Sequence, residues 1–244
     1  MINQISYYQT YSRNDLKLKL PFGCIISGPS SIGKSTFVKS LILNAKEVID
    51  PIPESILYCY GEYNSLVSDL QRVGVNVYSG APPEEVIKTQ EKSSLIILDD
   101  QLIQSTKNIF QNYIQKKSHH LNFGIVFVAQ NLFEKKLRVA RQNSMYLVLS
   151  RTPNNALSVR NLGVQLFPGK LDYFLDLYRQ ATRENYEYLS IDADTFMFMV
   201  IVSAILYQFR SIINIKSKIT KIPSGETSNR GENDEYNSIE KNFI

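Results

Sequence analysis

The sequence predicts an α/β fold: a mostly parallel sheet with helices packed on both faces. Three observations predict it. Short, wholly apolar runs alternate with longer runs whose apolar residues recur at helical spacing. A glycine-rich turn joins the first apolar run to the first helical one, and two later apolar runs end abruptly in polar pairs, Asp99-Asp100 and Gln130-Asn131. Strands buried on both faces read as continuous apolar stretches, and parallel strands need helical crossovers, so the alternation and the strand composition point the same way.

The elements follow in order. Phe22-Gly-Cys-Ile-Ile-Ser27 is a short buried strand, and residues 35–43 are apolar at helical spacing. Pro51 and Pro53 punctuate before a second strand, Ser55-Ile-Leu-Tyr-Cys-Tyr60, an amphipathic run over 63–72 and a third strand at 75–78. Pro82-Pro83 opens a helix of about ten residues. Strands are expected at 94–100, 123–129, 145–149 and 186–191, and helices at 105–117, 134–142, 154–161 and 170–182. Residues 1–16 form a polar extension, residues 17–194 one domain, and residues 216–244 read as a disordered polar tail. Between them, residues 196–207 have a single polar member, Ser203. A run of twelve residues is too short for a membrane-spanning helix, which needs about 20. Within residues 195–215 a packed or interfacial helix is expected, and the alternative is a membrane-spanning helix extended to Ile215, which would place Arg210 within the span and associate the protein with a membrane.

With 43% apolar residues, 12 Phe and 15 Tyr, the chain can build a sizeable core. Its two cysteines, Cys24 and Cys59, each lie inside an apolar run and read as core residues, not as a disulfide or zinc site. The first ten residues lack the apolar stretch of a secretion signal, so an intracellular, reducing setting is expected. The net charge of +4 is unevenly spread. Residues 101–160 carry nine Lys and Arg against one acid, Glu134, with His119 and His120 in the same block. Such a block is either a solvated surface or a contact for a polyanion. Adjacent histidines with no Cys or acid nearby make a poor zinc site, so His119 and His120 are read as loop or nucleic-acid contacts.

Gly28-Pro29-Ser30-Ser31-Ile32-Gly33-Lys34-Ser35 fits the pattern G-x-x-x-x-G-K-[ST] and sits between a buried strand and a helix start, where its mechanism requires it. The glycines let backbone N–H groups converge on phosphate oxygens. Lys34 brings a charge to the β- and γ-phosphates, Ser35 offers a hydroxyl to Mg²⁺, and Thr36 stands beside the α-phosphate. A triphosphate nucleotide with Mg²⁺ is the expected ligand.

The strand Leu95-Ile-Ile-Leu-Asp-Asp100 delivers two carboxylates to the carboxyl edge of the sheet, where ligands of open α/β sheets bind. Asp99 is the metal-side acid. Asp100, one residue further, can polarise the water that attacks the γ-phosphate. The alternative for either acid is a helix N-cap. Gln130 ends the following strand and can hydrogen-bond both the water and the γ-phosphate, or merely cap its loop. An extra strand between the two nucleotide motifs is the pattern of the RecA-like, additional-strand P-loop NTPases.

Six strings in order extend this: Leu20-Pro-Phe-Gly-Cys-Ile-Ile-Ser-Gly-Pro29, Ile56-Leu-Tyr-Cys-Tyr-Gly-Glu62, Leu98-Asp-Asp100, Ser118-His-His-Leu-Asn122, Ala129-Gln-Asn-Leu-Phe133 and Tyr146-Leu-Val-Leu149. Together, over residues 17–194, they resemble the DNA-packaging ATPases of the FtsK-HerA superfamily, in particular those of Polinton/Maverick elements, adintoviruses and the nucleocytoplasmic large DNA viruses, including poxviruses. The resemblance implies a ring-forming homo-oligomeric motor that hydrolyses ATP with Mg²⁺ and drives double-stranded DNA into a capsid, with a capsid or portal-like protein as partner and the host nucleus, viral factory or virion as setting. It places the phosphate loop on residues 28–36, the acids on Asp99 and Asp100 and the sensor on Gln130. In such rings a neighbouring subunit supplies an arginine to the γ-phosphate. Arg138 matches the family's arginine and is the first candidate, with Arg141 and Arg151 next; phosphate-backbone contact or a surface charge is the alternative for each. Lys116, Lys117, His119, His120, Lys135 and Lys136 would grip DNA phosphates without reading bases.

The sequence departs from the family after Asp194, where relatives continue with a polar, proline-containing segment. Two other readings stay open at this point: a helicase acting on single-stranded nucleic acid, and a non-catalytic nucleic-acid-binding remnant.

Overall fold

The computed structural model describes residues 17–90, 93–99, 102, 122–184, 186–193 and 197–202, the last six by their backbone. The expected helix at 105–117, Asp100, Lys116, Lys117, His119, His120, the N-terminal extension and the polar tail lie outside the described residues.

The first apolar run forms β2 (Phe22–Ser27), which the glycine-rich loop joins to α1 (Lys34–Leu43). A short pair, β1 (Leu18–Lys19) with β3 (Ile49–Asp50), runs parallel beside it, and α2 (Ala45–Val48) leads into β3. Then come β4 (Ser55–Tyr60), α3 (Ser65–Arg72), β5 (Asn76–Ser79), α4 (Glu84–Lys88), β6 (Ser94–Leu98) and β7 (Phe123–Ala129). The chain continues through α5 (Arg138–Asn143), β8 (Tyr146–Ser150), α6 (Ala156–Leu166), α7 (Leu171–Ala181), β9 (Glu187–Asp192) and β10 (Met197–Val202).

The main sheet has eight strands in the order β10-β9-β8-β2-β7-β6-β4-β5. From β8 to β5 all pairs are parallel; β9 and β10 close that side antiparallel. The expected inserted strand is present: β7 lies between β2 and β6, with Ser27 opposite Ala129 and Leu98 opposite Phe127.

Because side chains alternate across a strand, the sheet feeds two cores. Cys24, Ile26, Tyr58, Ile97, Val126 and Val148 face α1 and α3, which contribute Phe37, Val38, Leu41, Leu66, Val67 and Leu70. Ile25, Cys59, Leu98, Phe127, Leu149 and Leu189 face the other way, under Val159 and Leu162 of α6 and Phe174 and Leu177 of α7. Each such buried side chain contributes about 1.5–3 kcal/mol. Lys39 of α1 pairs with Asp69 of α3 at 2.6 Å, tying the two helices on the first face together.

Several elements differ from expectation. The helix after Pro82-Pro83 is only five residues long. The side chains of Thr89 and Gln90 both donate to the Val86 carbonyl, satisfying its end early. The helix expected over 134–142 is a 3₁₀ turn, Lys135–Leu137, followed by α5, and α6 runs on past residue 161 to Leu166. The largest correction concerns residues 197–202, the described part of the run at 196–207. Instead of a helix, Met197–Val202 forms β10, paired antiparallel with β9 from Met197 opposite Asp192 to Val202 opposite Glu187. Met-Phe-Met-Val-Ile-Val is rich in residues that fit a pleated surface, and a short apolar run carries no periodicity to separate helix from strand; the open edge of β9 decides. Among the described residues no helix is long and apolar enough to cross a membrane.

Candidate functional site

The turn from β2 into α1 is built by tight packing at its two glycines. The Gly28 N–H donates to the Ala129 carbonyl at 3.2 Å, pinning the loop to the end of β7. A Cβ on Gly28 would lie 1.7 Å from Ser150 Oγ on β8, so a side chain has no room. Ser31 has φ 64° and Gly33 φ 99°, two left-handed residues that turn the chain back on itself. Helix α1 then starts without a side-chain cap. By contrast α3 is capped by Asn64, whose side chain accepts from the N–H groups of Leu66 and Val67. A helix start left without a side-chain acceptor is a natural anion seat. Ser35 and Thr36 are exposed on that first turn. The Lys34 ammonium folds across the loop and donates to the carbonyls of Gly28 at 2.7 Å and Pro29 at 2.8 Å.

Asp99 stands just past β6, its N–H donating to the Cys59 carbonyl at 3.0 Å. Its half-buried carboxylate accepts a hydrogen bond from the Tyr58 hydroxyl at 3.1 Å. Burial, and then the Asp99 charge, push Tyr58 above the ordinary tyrosine range, so the hydroxyl stays protonated and remains a donor. With β7 between β6 and β2, Asp99 is carried about 10 Å from the loop strand, two strand spacings away. Asp100 lies outside the described residues.

Gln130 is exposed where β7 ends, one residue past the carbonyl that holds Gly28. Asn131 shapes the bend after it, its side-chain oxygen accepting from the Phe133 N–H at 2.9 Å. The three candidate arginines separate. Arg141 points inward: it donates to the Leu132 carbonyl at 2.9 Å and its guanidinium sits 4.5 Å over the Phe133 ring. Burial and the neighbouring Arg138 charge lower its pKa. Arg141 therefore braces the segment after Gln130. Arg138 and Arg151 are exposed, Arg151 reaching the Arg183 carbonyl at 3.5 Å. Lys135 is exposed and Lys136 half-buried on the same stretch.

Four residues that the motifs do not reveal complete the surroundings. Besides Tyr58, Ser150 donates to the Ser27 carbonyl at 3.2 Å, latching β8 to the end of β2. The Tyr188 hydroxyl reaches the Ile32 carbonyl at 3.4 Å while its ring meets Phe37 edge-on at 5.0 Å. Tyr186 rests on Gly33, where an added Cβ would come within 2.3 Å of its Cδ1. For Tyr58 a signal existed: it lies in the apolar run ending at Tyr60, but only the pairing of β4 with β6 brings it to Asp99.

The donor set suits a hard divalent cation with a polyphosphate: a hydroxyl at Ser35, a carboxylate at Asp99, a lysine across the loop, and two glycine positions that side chains would fill. Among the described residues no group of three or more His, Cys, Asp or Glu gathers at one place. A metal held here would take oxygen from Ser35, Asp99, substrate and water, the habit of Mg²⁺.

No family model and no curated protein matches the chain. Among solved structures, it is similar to ATPases 2 and 3 of Thermomonospora curvata EccC in complex with a signal sequence peptide, with a TM-score of 0.38 and 10% identity over 56% of this chain and 31% of that one. It is also similar to the cytoplasmic domain of the Thermomonospora curvata type VII secretion ATPase EccC, with a TM-score of 0.37 and 16% identity over 54% of this chain and 21% of that one. The chain thus spans less than a third of the length of either. The strand order and loop geometry above carry the fold assignment by themselves.

Proposed function

We propose that the chain is a Mg²⁺-dependent ATPase that acts as a homo-oligomeric motor on double-stranded DNA and packages a viral or virus-like genome into a capsid. The observation that carries the ATPase reading is the uncapped α1 start behind the loop, with Lys34 across it, one strand from Gln130 and two strands from Asp99. Lys34 exchanges its two carbonyl partners for oxygens of the β- and γ-phosphates. Ser35 and Asp99 hold Mg²⁺, which when bound neutralises phosphate charge. Tyr58 keeps the Asp99 carboxylate oriented. Asp100 takes the proton of the attacking water, and Gln130 aligns that water.

The DNA part of the proposal rests on the family resemblance and on the basic block over 101–160, where Lys116, Lys117, His119, His120, Lys135 and Lys136 supply backbone contacts. A neighbouring subunit's Arg138, exposed on α5, serves as the arginine that completes the γ-phosphate site.

The test is the ATPase rate of the full chain with and without duplex DNA, across a salt series, alongside Asp100→Asn. Duplex DNA should raise the rate, stimulation should fall steeply with salt, and Asp100→Asn should bind ATP while hydrolysing little. DNA-independent hydrolysis by a stable monomer would remove the motor reading, and preferential stimulation by single strands would favour a helicase. Absence of nucleotide binding would remove the ATPase reading.

A further inference from the structure

The loop has a direction. Its first residue, Gly28, is fixed to β7, the strand that ends in Gln130, and Asp99 lies one strand further on the same side. Its last glycine, Gly33, faces the other side of β2, toward β9. A triphosphate whose terminal phosphate lay by Gln130 and Asp99, running along the loop, would bring its nucleoside out on the β8–β9 side.

Tyr186 waits there. It immediately precedes β9, and its Cδ1–Cε1 edge lies against Gly33, within 2.3 and 2.9 Å of where a Cβ would stand. Yet the residue is 48% exposed, so about half of it lies open beside the loop. Its backbone has φ 66°, a conformation that costs a non-glycine residue roughly 1–2 kcal/mol. Such strain persists where surroundings impose it, and it gathers at ligand clamps. Tyr188, two residues on, turns its hydroxyl to the Ile32 carbonyl and its ring to Phe37, so the segment is held against the loop from below. The packing role of this segment is met by Tyr188, which is 1% exposed; it leaves the open aromatic surface of Tyr186 unexplained.

We infer that Tyr186 is the platform on which the nucleobase of the bound nucleotide stacks, making it a binding residue for the base and not for the phosphates. The inference rests on the nucleotide reading above. Stacking on an aromatic face tolerates any base, so the site selects nucleotides over bare polyphosphate more than it selects adenine over guanine.

The chain has no tryptophan, which makes the test direct. In full-length protein, binding of Mg-ATP, Mg-GTP and Mg-tripolyphosphate is measured by calorimetry for wild type, Tyr186→Ala and Tyr186→Phe. Tyr186→Ala should weaken both nucleotides on the order of tenfold and leave tripolyphosphate unchanged, with Tyr186→Phe close to wild type. In Tyr186→Trp, the sole tryptophan should be quenched by ATP and not by tripolyphosphate. Equal weakening of all three ligands would mean that Tyr186 only shapes the loop, and unchanged ATP binding would mean that the base lies elsewhere; either overturns the inference and leaves the phosphate site standing. Wild-type protein binding none of the three would instead overturn the nucleotide reading itself.

Discussion

Replacing Tyr58 with phenylalanine isolates one atom of the site. The ring is 2% exposed and packs in the core under α1 and α3, and phenylalanine keeps that packing. What is lost is the hydrogen bond from the hydroxyl to the Asp99 carboxylate at 3.1 Å. A hydrogen bond to a charged group is worth about 1.5–3 kcal/mol. The half-buried carboxylate recruits water in exchange, which reduces the net loss to about 1 kcal/mol. For a domain of this size that lowers the melting temperature by about 2–4 °C. If Asp99 holds Mg²⁺ as proposed, the functional effect should be larger in relative terms, because an unfixed carboxylate would present its oxygens to the cation in fewer productive orientations. We expect Tyr58→Phe to raise the Mg²⁺ concentration for half-maximal ATPase activity by about fivefold to tenfold, equivalent to about 1–1.4 kcal/mol, with far-ultraviolet circular dichroism unchanged. Tyr60→Phe, at the end of the same strand, should leave the Mg²⁺ dependence alone. A Tyr58→Phe protein whose Mg²⁺ titration overlays wild type would refute the claim that this hydroxyl positions the metal carboxylate.

Gly28→Ala should abolish nucleotide binding and cost about 1–3 kcal/mol of stability, since its methyl would sit 1.7 Å from Ser150 Oγ; chemical denaturation and a nucleotide-binding assay measure both. Arg141→Ala should lower stability by about 1–2 kcal/mol through loss of its carbonyl and ring contacts, whereas Arg138→Ala should leave the melting curve in place and depress ATP turnover. Both cysteine thiols are buried and pushed up to about 12. Between the unfolded value near 9 and that folded value the unfolded chain binds fewer protons, so stability should fall as pH rises, by about 1.4 kcal/mol per pH unit for each thiol. Denaturation at pH 8 and 10.5 should show a shallower fall in the Cys24→Ala/Cys59→Ala double variant, and native protein should react with thiol reagents only on unfolding.

How far the sequence discloses this molecule depends on whether a feature is local. The strand at 22–27 and the loop behind it were readable because their chemistry is written in consecutive residues, and the inserted β7 followed from the order of strand and motif. Tyr58 was not readable as a partner of Asp99, since the contact exists only once β4 pairs with β6 in the register that sets Cys59 opposite Leu98. Arg138, Arg141 and Arg151 look alike as cations along the chain, and the Phe133 ring and Leu132 carbonyl are what turn Arg141 inward. β10 is not legible for a different reason: a short apolar run carries no periodicity to separate helix from strand, and the edge of β9 settles the choice.

The lysine tied to the Gly28 and Pro29 carbonyls gives the loop a threshold. Prying that cation from two oxygen hosts demands a visitor with dense negative charge near its outer end, so a nucleoside or monophosphate should leave the latch shut while a triphosphate springs it. Discrimination by ligand charge would thus begin at the doorway, before any bond is broken.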